Sequence, residues 1–385
     1  MAEAVAGPSS PAGSGSSGSV PVLPTFEALG AWPGVLTRLL DGTSMTTDEA
    51  EVVLGQVLSG EAAPTQIASL VTALRAKGES VEEMAGFVRA MLAHAVPLPL
   101  PDGVDLIDTC GTGGDRLRSI NVSTIAALVV AATGAKVCKH GGRASSSAVG
   151  AADVLEALGV VADLGPGGVA RCIDEVGMGF CFAPRFHPAM RFAAPVRKEL
   201  GIPTVFNYLG PLANPGRARY QVVGVSDPTM ARKMVDVLAA NGTLRAMVVY
   251  GDDGLDELST TGPSTVHEMT SGGDGSAAYT SFEVRSYKVD PAELGFAPAT
   301  LDDLRGGDAS VNAEAIRRVV AGDPSPHRDI AVLNAAASLV VIGKADDLPA
   351  GVALACEVID DGRASEVLDA LIRVSQEESA AEAEA

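Results

Sequence analysis

Asp108-Thr-Cys-Gly-Thr-Gly-Gly-Asp115 (DTCGTGGD) lies between an apolar run at 104–107 and SINVST (119–124), which opens an Ala/Val/Leu stretch reaching Thr133. That order predicts a strand, a glycine-rich loop and the start of a helix. Gly111, Gly113 and Gly114 let backbone N–H groups approach an anion closely, and a helix N-terminus adds a favourable dipole. The stretch reads as a phosphate site, with an ordinary tight turn as the competing account.

Outward from it, short β-branched runs (104–107, 135–138, 160–162, 179–182, 220–225, 244–250) alternate with helical patterns (151–158, 169–176, 228–240). The alternation predicts a mainly parallel sheet covered on both faces. Residues 187–201 (HPAMRFAAPVRKELG) interrupt it and read as a helix that rejoins a helical unit. Antiparallel strands are expected at 264–269 and 282–289, then helices at 328–342 and 364–374. Upstream, residues 25–98 read as all-helical: TTDE (46–49) and SVEE (80–83) have capping-box spacing, and Pro64 starts a third helix stopped by Gly78. Residues 1–24, rich in Gly, Ser, Pro and Ala, and the acidic 376–385 read as a disordered tail and a frayed end. The expected fold class is α/β: a small all-helical domain at 25–98, joined by 187–201, and a larger α/β domain at 99–375 with a mainly parallel central sheet.

A second glycine-rich stretch, KHGGRASSS (139–147), follows the short strand 135–138 and precedes a helix near Gly150. Both loops therefore fall at the carboxyl edge of the sheet, where open α/β folds bind ligands. Lys139 and Arg143 supply charge, Ser145, Ser146 and Ser147 supply hydroxyls, and Gly141 and Gly142 permit close approach. Two anion loops suit a ligand with two phosphate groups; the Gly-Lys-Ser/Thr order of an ATPase loop is absent. Ser123 and Thr124, in the first helical turn, can contact phosphate or metal, while Ser119 or Asn121 can cap the helix. Asp256-Glu257 follows a buried strand, and adjacent loop carboxylates suit Mg²⁺, which takes one or two carboxylates plus substrate phosphates. Arg197 or Lys198 can point inward toward a second substrate's carboxylate. His187 reads as structural or capping, and His140 stays ambiguous.

Across 385 residues, hydrophobic side chains make up 47% and aromatic ones 4%, so the core is built from Ala, Val and Leu. A formal charge of −20 opposes non-specific nucleic-acid binding. The five cysteines form no C-x-x-C pair and read as reduced. No run approaches the ~18 apolar residues of a membrane span, and no secretory signal is legible. The expected setting is the cytoplasm.

DTCGTGGD, NVST, KHGGR-SS, APVRKELG…FNYLGPLANP and GDDGLDELS, in this order and spacing, resemble the anthranilate phosphoribosyltransferases. The likeness runs from about residue 33 to 375. It implies a nucleoside phosphorylase/phosphoribosyltransferase-type fold and a homodimer formed through the helical part. It implies Mg²⁺-assisted transfer of phosphoribose from 5-phosphoribosyl 1-pyrophosphate (PRPP) to the amine of anthranilate, in tryptophan biosynthesis. By that resemblance Gly111, Gly114, Asp115, Ser119, Asn121, Val122, Ser123 and Thr124 hold PRPP. So do Lys139, His140, Gly141, Gly142, Arg143, Ala144, Ser145, Ser146 and Ser147. Ser123 and Glu257 approach one Mg²⁺, and Asp256 and Glu257 a second. Arg197, Gly111 and Gly142 line the anthranilate site. No covalent nucleophile or dedicated base is expected, because a neutral arylamine needs positioning more than activation.

Two positions depart from the family pattern: Gly142 stands where asparagine is usual, and Tyr250 where histidine precedes the Gly-Asp loop. They admit an alternative, transfer to another aromatic amine. A pyrimidine nucleoside phosphorylase-like activity is a second alternative, and a non-catalytic nucleic-acid-binding relative a third.

Overall fold

The computed structural model describes residues 23–101, 103–113, 117–144, 149–272 and 281–384. The expected tail before residue 23, and Gly114, Asp115, Ser145, Ser146 and Ser147 of the expected site, lie outside them.

Four helices come first: α1 (Ala31–Leu40), α2 (Thr47–Leu58), α3 (Pro64–Lys77) and α4 (Val81–Ala93). Both expected capping boxes close, Thr46 with Glu49 and Ser80 with Glu83. Glu83 does more than cap. Fully buried, it accepts from Ser80 N–H (2.8 Å), Lys77 Nζ (2.9 Å) and Met45 N–H (3.1 Å). One satisfied carboxylate thereby ties three segments together, whereas an unpaired one would carry a heavy desolvation cost. Helix α4 crosses α2 at Gly86, where a Cβ would stand 2.1 Å from Thr47 O.

The α/β part runs β1 (Leu106–Gly111), α5 (Val122–Ala132), β2 (Lys136–Gly141), α6 (Ala151–Leu158), α7 (Pro166–Val176) and β3 (Met178–Phe182). Then come α8 (Ala183–Phe186), a 3-10 turn (Pro188–Phe192), α9 (Ala194–Leu200) and α10 (Phe206–Leu212). The chain returns with β4 (Tyr220–Gly224), α11 (Pro228–Ala240), β5 (Arg245–Gly251), β6 (Ser264–Ser271) and β7 (Phe282–Val289). It closes with α12 (Ala309–Val320), α13 (Pro326–Val341), α14 (Leu348–Asp360) and α15 (Arg363–Glu384). Strand order is β3-β2-β1-β4-β5-β6-β7. The pairings from β3 to β5 are parallel and the last two antiparallel. Successive strands step away from β1 in one direction through β3 and in the other from β4, so the topological switch lies between β1 and β4.

Several expected boundaries shift for physical reasons. Residues 160–162 form no strand; they link α6 to α7, and the Val161 N–H donates to Ser375 Oγ (3.0 Å) instead of to a neighbouring strand. The 187–201 segment is not one helix, because Pro188 and Pro195 each lack the N–H a continuous helix needs and so sit at the starts of separate turns. The 3-10 turn packs on α2 and α9 packs on α3. Strand β2 runs through Lys139 and His140 to Gly141, so these belong to the sheet rather than to the loop. The acidic end does not fray: α15 continues to Glu384. Glu378 and Glu377 pair with Arg171 (2.5 and 2.9 Å), and Glu382 accepts from Gly165 N–H (2.8 Å).

Because the Gly86 backbone lies directly against the backbone of α2, Gly86→Ala is expected to overpack the crossing and cost about 1–3 kcal/mol. Urea denaturation followed by far-UV circular dichroism measures it; an unchanged midpoint would mean that the crossing relaxes freely.

Candidate active site

At the carboxyl end of β1 the chain narrows to glycine because another segment sits against it. A Cβ on Gly111 would lie 2.4 Å from Asp256 Oδ2, and one on Gly224, at the end of β4, 1.6 Å from Asp256 O. Asp256 is buried and accepts from Gly113 N–H at 2.7 Å. The loop after β5 is thus seated on the switch point, carrying Asp256 and Glu257 to the mouth of the first glycine loop. Ser226, just after β4, holds the other side: its Oγ donates to Gly113 O (3.0 Å) and its N–H to Thr112 Oγ1 (3.3 Å).

Beneath the loops lies a buried polar column. Lys139, 1% exposed, donates to Thr109 O (2.6 Å) and Ser123 Oγ (3.1 Å). Thr109 Oγ1 donates to Ser123 O (2.9 Å), fixing the first turn of α5 to β1. Asp108, fully buried, accepts from Asn214 Nδ2 (2.7 Å) and His140 N–H (3.1 Å). Burial pushes the Asp108 carboxyl above its usual range, opposed by the charge of Lys139; it pushes Lys139 downward, opposed by Asp108 and Glu257.

Two adjoining cavities open above this column. The smaller, about 180 Å³, is lined by Ser119, Asn121, Val122, Ser123, Thr124, Lys139, Asp256 and Glu257 among others. The larger, about 620 Å³, extends over α8, α9 and α10 to Arg197, Asn207 and Pro211. They share a wall of Cys110, Gly111, Gly113, His140, Gly141 and Gly142. Thr124 Oγ1 is buried in the smaller cavity's wall without a hydrogen-bond partner among the described residues.

Arg197 faces the larger cavity, packed over the Phe206 ring at 5.4 Å; it forms no ion pair among the described residues, and burial lowers its pKa. A desolvated, unpaired guanidinium favours a carboxylate ligand. Lys198, the other inward candidate, is exposed.

Some expected residues are placed differently. Arg143 is exposed, pairing with Glu156 (2.7 Å) and Asp153 (3.1 Å), and lines the larger cavity rather than the smaller. Ala144 gives its N–H to Asp153 Oδ2 (2.9 Å). Asn121 occupies the cap position of α5 but makes no capping bond; its amide joins Val149 O (3.1 Å) and Asn312 (3.0 Å). The roles of Asp108, Asn214 and Ser226 escape a reading of the sequence. A buried carboxylate inside a strand and an asparagine in an Ala-Asn-Pro turn have no periodic signature.

His140 Nδ1 lies 3.2 Å from Gly210 O, an acceptor, so this nitrogen carries the proton and Nε2 presents a lone pair without a hydrogen-bond partner among the described residues. Burial, with the charge of His187 next, lowers the His140 pKa to about 3. Against an unfolded value near ~6.5, the unfolded chain binds the extra proton between these limits. Stability is therefore full above ~6.5 and falls as pH drops toward the folded pKa. Replacing His140→Gln is expected to flatten that acid limb, leaving the parts due to other groups, among them His187, His267 and His327, whose pKa values burial also lowers. Denaturation midpoints at pH 7 and pH 4.5 test this; equal acid losses in both proteins would refute it.

Residues 33–95 match the helical bundle domain of the glycosyl transferase family, and residues 103–365 match that family's α/β domain. The anthranilate phosphoribosyltransferase of Rhodococcus jostii (strain RHA1) is 49% identical over 343 residues, covering 88% of this chain and 91% of the relative. The crystal structure of anthranilate phosphoribosyltransferase from Thermus thermophilus aligns with a TM-score of 0.81 at 40% identity, over 89% of this chain and 99% of that one. The Saccharomyces cerevisiae enzyme in complex with PRPP and Mg aligns with a TM-score of 0.80 at 27% identity, over 90% of this chain and 98% of that one.

Proposed function

The chain belongs to the anthranilate phosphoribosyltransferase family, and on that premise we propose that it transfers the phosphoribosyl group of PRPP to the amine of anthranilate. One observation carries the reading: a small cavity lined by hydroxyls, Lys139 and two carboxylates adjoins a larger one that ends on an arginine with no ion pair among the described residues. The first suits pyrophosphate and ribose phosphate; the second suits an aromatic acid.

In this assignment Lys139, Ser119 and the first turn of α5 hold PRPP, with Gly111, Gly113, Gly141 and Gly142 supplying backbone contact. Arg197 orients the anthranilate carboxylate so that the amine nitrogen faces C1 of the ribose. The C1–O bond to pyrophosphate breaks as the N–C1 bond forms, and the alkylated arylammonium then releases its proton to solvent. His140, which lines both cavities, keeps its Nε2 buried and without a hydrogen-bond partner among the described residues. Ser123, Asp256 and Glu257 offer hard oxygen donors on one wall of the smaller cavity. Among the described residues no three His, Cys, Asp or Glu side chains converge as a cage, so the protein would fill only part of an octahedral shell, the arrangement Mg²⁺ accepts. When bound, Mg²⁺ neutralises charge on the departing pyrophosphate. We assign two ions per subunit, a homodimer formed through the helical part, cytoplasmic residence, and domains at 25–98 with 187–201 and at 99–375. Among the described residues no helix is long and apolar enough to cross a membrane.

A second acceptor is favoured by one observation: among the described residues a Cβ on Gly142 would meet only Ala183 Cβ within 4 Å, at 3.9 Å, leaving space on that side for a bulkier arylamine. Gly142→Asn restores an amide there and is expected to lower KM for anthranilate several-fold, in keeping with ~1–3 kcal/mol for a positioned polar contact. Lower turnover of 5-substituted anthranilates should accompany it. An unchanged KM would remove this position from acceptor recognition.

Arg197→Ala is expected to raise KM for anthranilate at least about tenfold, with KM for PRPP changed much less. Product fluorescence in a PRPP, anthranilate and Mg²⁺ assay measures both. No product from the unmodified protein would overturn the assignment.

A further inference from the structure

The wall of the smaller cavity is backed by a strap whose residues line neither cavity. Residues 304–307 pair with the chain just before α5: Ile120 N–H donates to Leu304 O (3.1 Å), Gly306 N–H to Arg118 O (2.8 Å), and Ser119 bridges Arg305 in antiparallel fashion. The first turn of α12, capped by Asp308, follows directly. From it Asn312, 2% exposed, reaches both ways. Its Oδ1 accepts from Gly307 N–H (2.8 Å), and its Nδ2 donates to Asn121 Oδ1 (3.0 Å). Asn121 Nδ2 then donates to Val149 O (3.1 Å), at the end of the second glycine-rich loop.

Two side-chain amides therefore connect the strap, the entry of α5 and the chain leading into α6. Each bond has a fixed direction, because an amide presents its donor and acceptor on opposite sides. Removing the Asn312 amide takes the side-chain partner from the part-buried Gly307 N–H and from the Asn121 amide oxygen, which loosens the segments they hold. Space is tight as well: a Cβ on Gly306 would stand 2.5 Å from Asn312 Oδ1.

We propose that Asn312 is a positioning residue for the phosphate-donor substrate, acting through Asn121 to hold the α5 entry and the chain at Val149, just before α6, at their binding separation. The proposal rests on the assignment of the smaller cavity to PRPP.

Two variants test it. Asn312→Leu deletes the amide at similar volume, and Gly306→Ala keeps the amide but displaces it, which guards against misfolding of the first. For each folded variant, calorimetry gives Kd for PRPP with Mg²⁺, and steady-state kinetics give KM for both substrates. The expected result is a rise of about tenfold in Kd and KM for PRPP, with KM for anthranilate within about twofold. Hydrogen exchange of the ligand-free variants should accelerate at 117–124 and 149–152 and nowhere in 31–93. PRPP affinity unchanged in both variants, or both KM values rising together, would overturn the proposal. If the unmodified protein bound no PRPP, the functional assignment would fail instead. The exchange pattern would then still decide the Asn312 link, since uniform or unchanged exchange would refute it.

Discussion

The close approach of Asp256 to the ends of β1 and β4 is the constraint on which the site depends. Gly111 and Gly224 have no room for a side chain because the Asp256 carboxylate and carbonyl occupy it. Their pairing in register across the two strands makes one flat cradle at the switch point. A loop that would otherwise hang from β5 is held there, and its two carboxylates arrive beside the hydroxyls of α5. Where the strand order reverses, the flanking helices diverge and leave a crevice. Here the crevice is furnished by chain from β1, β2 and the β5–β6 connection together.

The column below the cradle shows how a charged group is kept inside a sheet. Lys139 points from β2 into protein toward β1 and the first turn of α5, with a backbone carbonyl and a serine hydroxyl as acceptors. Asp108 stands on the neighbouring strand with an asparagine amide and a backbone N–H as donors. Each charge is solvated by fixed dipoles rather than by water, which tempers the desolvation cost. Pre-arranged dipoles of this kind need no reorganisation when an anionic ligand arrives.

How much of this is legible from residues alone varies with the kind of interaction. Strand–helix alternation, the capping boxes and the two glycine loops are local patterns, and the fold class and the line-up of Lys139, Ser123, Asp256 and Glu257 follow from them. Contacts at long separation are not legible. Nothing near Gly224 marks it as the floor for Asp256, and nothing near Asn121 shows that its amide is engaged by Asn312 on a helix far along the chain. The acidic end misleads for the same reason: its glutamates resemble a solvated tail until Arg171 and the Gly165 N–H are brought beneath them. The split of 187–201 is readable from its two prolines, which outweigh the apolar periodicity around them.

The wall between the two cavities is almost bare backbone. Of its residues only Cys110 and His140 carry side chains, and both are buried. An occupant of one cavity therefore supplies part of the other's surface. Linkage then makes the two ligands mutual effectors: whatever factor one imposes on its neighbour's affinity, the neighbour returns in equal measure. In such a molecule an affinity belongs to a state of filling, and a dissociation constant has a single meaning only when the contents of the adjoining chamber are named.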